Sequence, residues 1–218
     1  MTNKTSQIPL DLEHEPSFAF EDFIVSSSNE AANDLICNWP AWPQHAVAIV
    51  GPAASGKTHL ARAWAAYSGA TLYSGLESIK ALDEGSAVLI EDIDRLEYPE
   101  KDVFHLFNWV KEISGSLLMT SRLHPTRLKI TLPDLRSRLA TVFVGELQEP
   151  DDQLLTAVLV KLFSDRQLQV DMLVVEYLLP RIERSFSAIV SLVDLMDRTA
   201  LAGKRKITRD LAKTCLNQ

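Results

Sequence analysis

The sequence predicts an α/β fold: a P-loop core on a five-stranded parallel sheet flanked by helices, followed by a small all-α domain. Three observations predict it. An apolar run over 46–50 leads into Gly51-Pro52-Ala53-Ala54-Ser55-Gly56-Lys57-Thr58, and a helical pattern starts at Leu60. A second wholly apolar run, 87–90, ends in the acids Glu91 and Asp92. Strand-like segments stop near Pro150, and only helical patterns follow. Strand, glycine-bounded loop and helix is the context of a phosphate-binding loop. Strands apolar on both faces belong to a buried parallel sheet, and a switch from strands to helices suggests a second unit.

The loop carries the first candidate chemistry. Gly51 and Gly56 allow a tight turn in which successive N–H groups face one anion. The helix N-terminus adds partial positive charge. Lys57 has the reach for β- and γ-phosphates, and the Thr58 hydroxyl suits Mg²⁺. Ala54, Ser55 and His59 complete the nucleotide-binding candidates around these residues. The competing reading is an ordinary glycine-containing βα turn. At the end of the 87–90 run, Glu91 and Asp92 suit a Walker B role, one carboxylate for Mg²⁺ and the next to orient an attacking water. Acids at strand C-termini lie where open α/β sheets bind ligands.

Composition narrows the classes. A net charge of -7 argues against a dedicated DNA-binding surface. The two cysteines, Cys37 and Cys215, and the five histidines show no metal or redox spacing. No apolar run approaches the roughly 18 residues that span a membrane, and the N-terminus lacks a signal-peptide core. These features point to a soluble cytoplasmic protein.

Along the chain, residues 1–17 read as a flexible tail interrupted by Pro9 and Pro16. Within it, Gln7-Ile8-Pro9-Leu10-Asp11-Leu12 suits either an edge strand or a linear docking peptide with aliphatic anchors. Phe18, Phe20 and Phe23 serve either as a first packing segment or as a wall for a base. Asn29 suits the N-cap of a helix over 31–36. A second strand is predicted over 70–73, a short helix over 76–82 and a core-facing helix through Val103, Leu106, Phe107 and Val110. The fourth strand, 116–121, ends in Thr120 and Ser121, hydroxyls that suit either a turn cap or a γ-phosphate sensor. Pro133 opens a short helix carrying Arg136 and Arg138, and a fifth strand follows over 141–144. Those arginines are either solvated or able to reach a nucleotide on a neighbouring subunit. Helices are predicted over 152–163, 172–179, 184–201 and 209–216, the last capped by Thr208. The basic triplet Lys204-Arg205-Lys206 reads as a solvated loop, with DNA contact as the alternative.

Taken together, these residues resemble the DnaA branch of the AAA+ ATPases. The resemblance rests on Gly56-Lys57-Thr58-His59-Leu60, on Phe20-Glu21-Asp22-Phe23-Ile24-Val25 followed by Asn29, and on the Walker B run through Asp92. Thr120-Ser121, Ser137-Arg138-Leu139, Glu183-Arg184-Ser185-Phe186 and Thr208-Arg209-Asp210-Leu211-Ala212 extend it. It implies an AAA+ core over 18–147 and a helical lid over 148–218. It implies ADP or ATP with Mg²⁺ as cofactors, with Phe23 and Val25 covering the adenine. Arg184 would face the phosphates, Thr120 and Ser121 would sense them, and Thr58, Glu91 and Asp92 would hold the metal. Arg138 would be an arginine finger acting in trans, with Asp92 the second catalytic candidate.

The initiators of this branch continue into a helix-turn-helix domain, for which 218 residues leave no room. The tail instead resembles peptides that dock on the bacterial sliding clamp, the DNA polymerase β subunit, with Gln7, Ile8, Leu10 and Leu12 as anchors. The implied role is regulatory: docking on the DNA-loaded clamp, and so on the nucleoid, and promoting hydrolysis of DnaA-bound ATP. The implied partners are the clamp and DnaA, with a homo-oligomer left open and neither sequence-specific DNA contact nor a membrane involved. Glu91, where many members carry Asp, and the loop's few glycines imply weak hydrolysis by the chain itself. A stand-alone AAA+ ATPase that loads or remodels a helicase is the rival reading. A small-molecule kinase finds no acceptor-site signature.

Overall fold

The computed structural model describes residues 20–203 and 205–216. The docking-peptide residues Gln7, Ile8, Leu10 and Leu12, and Lys204, lie outside them.

Five parallel strands form the sheet: β1 (Ala46–Val50), β2 (Thr71–Leu72), β3 (Ala87–Ile90), β4 (Ser116–Ser121) and β5 (Phe143–Glu146), in the order β2-β3-β4-β1-β5. β4 therefore lies between the strand that feeds the P-loop and the strand that ends in the two acids. Alternating side chains build a core on each face. Ala46, Ala48, Val50, Val88, Ile90, Leu117 and Met119 pack under α3 (Glu100–Glu112) and α4 (Pro133–Ala140). Val47, Ile49, Ala87, Leu89 and Leu118 pack under α1 (Glu30–Cys37) and α2 (Lys57–Ser68). Leu60, Ala61 and Trp64 turn one face of α2 into that layer with essentially no exposure. Burying a large side chain of this kind stabilises the fold by about 1.5–3 kcal/mol. Trp64 stacks on Trp42 at 5.2 Å and meets Trp39 edge-on at 6.1 Å.

Beyond β5 the predicted all-helical unit is present: α5 (Asp152–Asp165), α6 (Met172–Leu178), α7 (Phe186–Gly203) and α8 (Arg209–Leu216). They enclose their own core around Leu159, Phe163, Val175, Ile189, Val193 and Met196. Thr208 caps α8, its Oγ1 accepting from Leu211 N at 3.4 Å.

Several predicted boundaries move for local reasons. β2 is only two residues long, and Gly75 at φ 121° turns the chain away soon after it. The helix expected over 76–82 is a 3-10 turn, Leu76–Ile79. β5 starts two residues late because Thr141 ends α4, its hydroxyl donating to Arg138 O at 2.8 Å. It then runs through Gly145, where a Cβ would stand 3.0 Å from Ala32 Cα on α1. Asn29 precedes α1 without capping it through its side chain. Its Oδ1 instead accepts from Ser26 N at 2.8 Å and its Nδ2 donates to Ile24 O at 2.9 Å, pinning the 24–26 segment.

Candidate functional site

The site lies at the C-terminal ends of β1, β3 and β4. The end of β4 joins its two walls. Gly51 N donates to Ser121 O at 3.2 Å, and Asp92 N donates to Thr120 Oγ1 at 2.8 Å. Ser121 is fully buried, and its hydroxyl is engaged in the following turn, donating to Leu123 O at 2.6 Å. Of the two sensor candidates, Thr120 thus holds the acid-bearing turn and Ser121 shapes its own.

The loop has the backbone of an anion cradle. Gly56 takes φ 95° and Ala54 φ 57°, both in the left-handed region. The first N–H groups of α2 lack intrahelical partners by construction. The Ser55 hydroxyl is buried without a hydrogen-bond partner among the described residues. Lys57 is 6% exposed, and its Nζ donates to Gly51 O at 2.9 Å and Pro52 O at 2.6 Å. Burial pushes its ammonium below the usual lysine value. Asp92 and Asp94 pull it back up, and Arg122 adds to the fall. A buried cation held only by carbonyl oxygens, beside an unpartnered hydroxyl and a helix N-terminus, fits a polyphosphate.

The acids are placed differently. Glu91 is held by Arg62 of α2, with Nη2–Oε2 at 2.9 Å and Nε–Oε1 at 3.4 Å. Asp92 takes φ 50° two residues after the end of β3 and pairs with Arg95 at 2.9 Å. Asp94, absent from the sequence reading, acts on Lys57 and accepts from Arg122 N at 2.9 Å. Its signal was its place two residues beyond Asp92, where one turn brings both acids to the same end of the sheet. Among the described residues no three His, Cys, Asp or Glu side chains assemble a metal site.

Phe23 comes from the N-terminal segment, its ring 5.7 Å from His59 by centroids and 3.8 Å from the Cβ position of Gly56. Burial lowers the His59 pKa, Asp22 raises it and Lys161 lowers it further. Asp22 pairs with Lys161 of α5 at 2.8 Å, tying this segment to the lid. Val25 is about half exposed and Thr58 is exposed.

Arg184, which the resemblance turns toward the phosphates, is engaged by Pro150 and Asp152. It precedes α7, donates to Pro150 O at 3.2 Å and pairs with Asp152 at the start of α5. Phe186, the first residue of α7, reaches the P-loop, its Cε2 lying 3.3 Å from the Cβ position of Gly56. The reason is the cap: Ser185 Oγ accepts from Ala188 N at 3.2 Å, so α7 begins one residue beyond Ser185 and Arg184 stays on the stem. Arg138 lies in the last turn of α4, exposed, with Nη2 donating to Asn108 Oδ1 of α3 at 3.2 Å. α4 covers the sheet face opposite α2, so Arg138 stands apart from the chain's own P-loop helix.

Comparison with known proteins places this geometry. The family described as "Hda, lid domain" matches residues 151–216. DnaA of Symbiobacterium thermophilum is 27% identical over 230 residues, covering 92% of this chain and 50% of that protein. The chain is thus similar to DnaA and, over residues 151–216, to the Hda lid. The chain spans about half the length of the curated DnaA relatives it matches. An uncharacterised protein of Haemophilus influenzae is 26% identical and covered over 98% of its length, against 97% of this chain. Domain III of Thermotoga maritima DnaA superposes with a TM-score of 0.81 at 17% identity, over 93% of this chain and 97% of that one. The RuvB branch-migration motor of T. maritima superposes at 0.73 and 17%, over 92% and 72%. The structural likenesses establish a five-stranded AAA+ core and helical lid as the fold of this DnaA-like chain.

Proposed function

We propose that this chain regulates replication initiation by acting on nucleotide held by DnaA. The observation that carries the reading is the union of a DnaA-like chain, an Hda-type lid and an exposed Arg138 on the sheet face away from its own P-loop. In this reading Lys57 and the N–H groups of the loop hold the phosphates of ADP or ATP. Phe23, His59 and Val25 cover the base side, and Thr58 and Asp92 hold the Mg²⁺ that comes with the nucleotide. Glu91 stays with Arg62 and sets the loop helix against β3. Bound nucleotide neutralises Lys57 and fixes the lid against the core. A solved DnaA chain bound to AMPPCP and single-stranded DNA, 20% identical to this one, carries nucleotide on the same fold.

The chemistry falls to Arg138. Its guanidinium would enter the DnaA nucleotide site and stabilise charge developing on the γ-phosphate in the transition state. An arginine finger contributes on the order of 10³–10⁵ in rate. The peptide through Gln7, Ile8, Leu10 and Leu12 would dock on the DNA-loaded sliding clamp and supply effective concentration rather than chemistry. Arg184, held on the stem by Asp152, would act on phosphate only after that pair opens. A homo-oligomer and cytoplasmic, clamp-dependent nucleoid association belong to the same proposal.

The test is reconstitution with DnaA·ATP, clamp and DNA. Arg138→Ala should keep nucleotide and clamp binding and lose stimulation of DnaA hydrolysis by about 100-fold or more. Undiminished stimulation would refute the trans role. Gln7→Ala should lose clamp binding in a pull-down while leaving nucleotide binding intact.

A further inference from the structure

We propose that the groove between α6 and α8 of the lid is a docking site for the chain's own N-terminal segment around Leu10-Asp11-Leu12-Glu13, which it holds in competition with outside partners of that peptide. Only the competition rests on reading the segment as a docking peptide.

The groove has a volume of about 550 Å³ and an apolar floor of Leu173, Val174, Tyr177 and Ile207. Leu173 lines it while remaining 67% exposed. Two cations flank Tyr177: the guanidinium of Arg181 lies 4.1 Å and that of Arg209 4.6 Å from the ring centroid. Arg181 Nη1 also donates to Tyr177 O at 2.8 Å, so ring and backbone together hold it at the groove. Among the described residues neither arginine pairs with a carboxylate. Asp171 lines the groove too, but it caps α6, accepting from Leu173 N at 2.9 Å. Glu176 is the other acid there. Cations placed beside an apolar floor suit an extended peptide that carries acids next to aliphatic side chains. Glu176 confines those acids to the arginine side.

The chain's own segment has this pattern. Aliphatic and acidic residues alternate in Leu10-Asp11-Leu12-Glu13. Extended, such a peptide presents both leucines on one side and both acids on the other. Pro9 and Pro16 bracket it and oppose helix, and no lysine or arginine lies between them. The segment also has the reach. Asp22 pairs with Lys161 of α5 at 2.8 Å, so the described chain starts against the lid. Leu168 N donates to Phe163 O at 2.8 Å, which turns the chain back toward Lys161 just ahead of Asp171. The start of the groove then lies within about 22 Å of Lys161. The ten residues from Leu12 to Asp22 extend to about 33 Å.

Paramagnetic relaxation in the full chain tests the contact. A nitroxide on His14→Cys, in a Cys37→Ser background that leaves the buried Cys215 in place, should broaden the methyl signals of Leu173, Val174 and Ile207. Arg181→Gln/Arg209→Gln should relieve the broadening. So should Asp11→Lys/Glu13→Lys, which alters no described residue and carries the test if the arginine variant does not fold. Sharp signals in the starting chain, or broadening that persists in either folded variant, overturn the proposal. Broadening passed from a nitroxide-bearing chain to a separate isotope-labelled chain in a mixed sample assigns the groove to a second copy and overturns it as well. For the competition, Arg181→Gln/Arg209→Gln should bind the sliding clamp about three- to tenfold more tightly, as expected when a docked fraction of about 0.7–0.9 is released. Clamp binding at unchanged affinity overturns the competition. Intrachain broadening in a chain that does not bind the clamp at all refutes the docking-peptide reading and upholds the groove.

Discussion

Thr120 Oγ1 accepts the backbone N–H of Asp92 at 2.8 Å, so the fourth strand holds the acid-bearing turn of the third. Thr120 is 1% exposed, and Asp92 sits at φ 50°, outside the regular strand ladder. Thr120→Val keeps the shape and removes the acceptor. A buried donor left without its partner costs about 1–3 kcal/mol. Denaturant titration should show a lower midpoint at unchanged m-value, and Thr120→Ser should recover most of the loss. A Val variant as stable as wild type would mean that the turn is held by something else.

Gly51 is required by packing before any ligand enters. A Cβ there would lie 2.5 Å from Leu147 O and 3.0 Å from Leu147 Cβ. Leu147 N in turn donates to Val50 O at 2.7 Å, so neither backbone has room to retreat. Overpacking of this kind costs about 1–3 kcal/mol. Gly51→Ala should therefore lower the melting temperature by about 3–10 °C in the absence of nucleotide. A shift of under about 1 °C would show that the β1 end and residue 147 separate easily.

His59 should make stability depend on pH. Its folded pKa is pushed below its ordinary value, chiefly by burial. The unfolded chain therefore takes up the proton first as pH falls. Stability is intact above the unfolded pKa of about 6.5 and declines below it, toward the folded value. Chemical denaturation at about pH 7.5, 6.5 and 5.5 should show this decline, and His59→Gln should flatten that interval. Parallel pH profiles for the two chains would remove His59 as the cause.

What was legible in the sequence was local. The glycine-bounded loop, the apolar run before Glu91 and Asp92, and the change to pure helix after Pro150 are contiguous patterns, and each sits in the predicted kind of element. Contacts across the fold were not legible. Nothing in the spacing of Arg62 and Glu91, 29 residues apart, announces that they meet. Asn29 reads as a cap because its type suits one, but the serine-rich turn before it offers a competing N–H at Ser26. Arg184 and Phe186 are two residues apart, and the Ser185 cap between them leaves Arg184 before α7 and Phe186 in its first turn. Gly145 disguised the end of β5, because the close approach of α1, not strand propensity, selects glycine there.

The stacked Trp42 and Trp64, with Trp39 edge-on, have an optical consequence. All four tryptophans, Trp39, Trp42, Trp64 and Trp109, precede Pro150, and the helical lid contains none. Indole emission therefore follows the environment of the sheet and its flanking helices, whereas far-ultraviolet ellipticity sums the helices of both units. Recorded on one heated sample, the two signals watch different parts of the same molecule without a label. The gap between their midpoints measures how tightly the lid's melting is bound to that of the core.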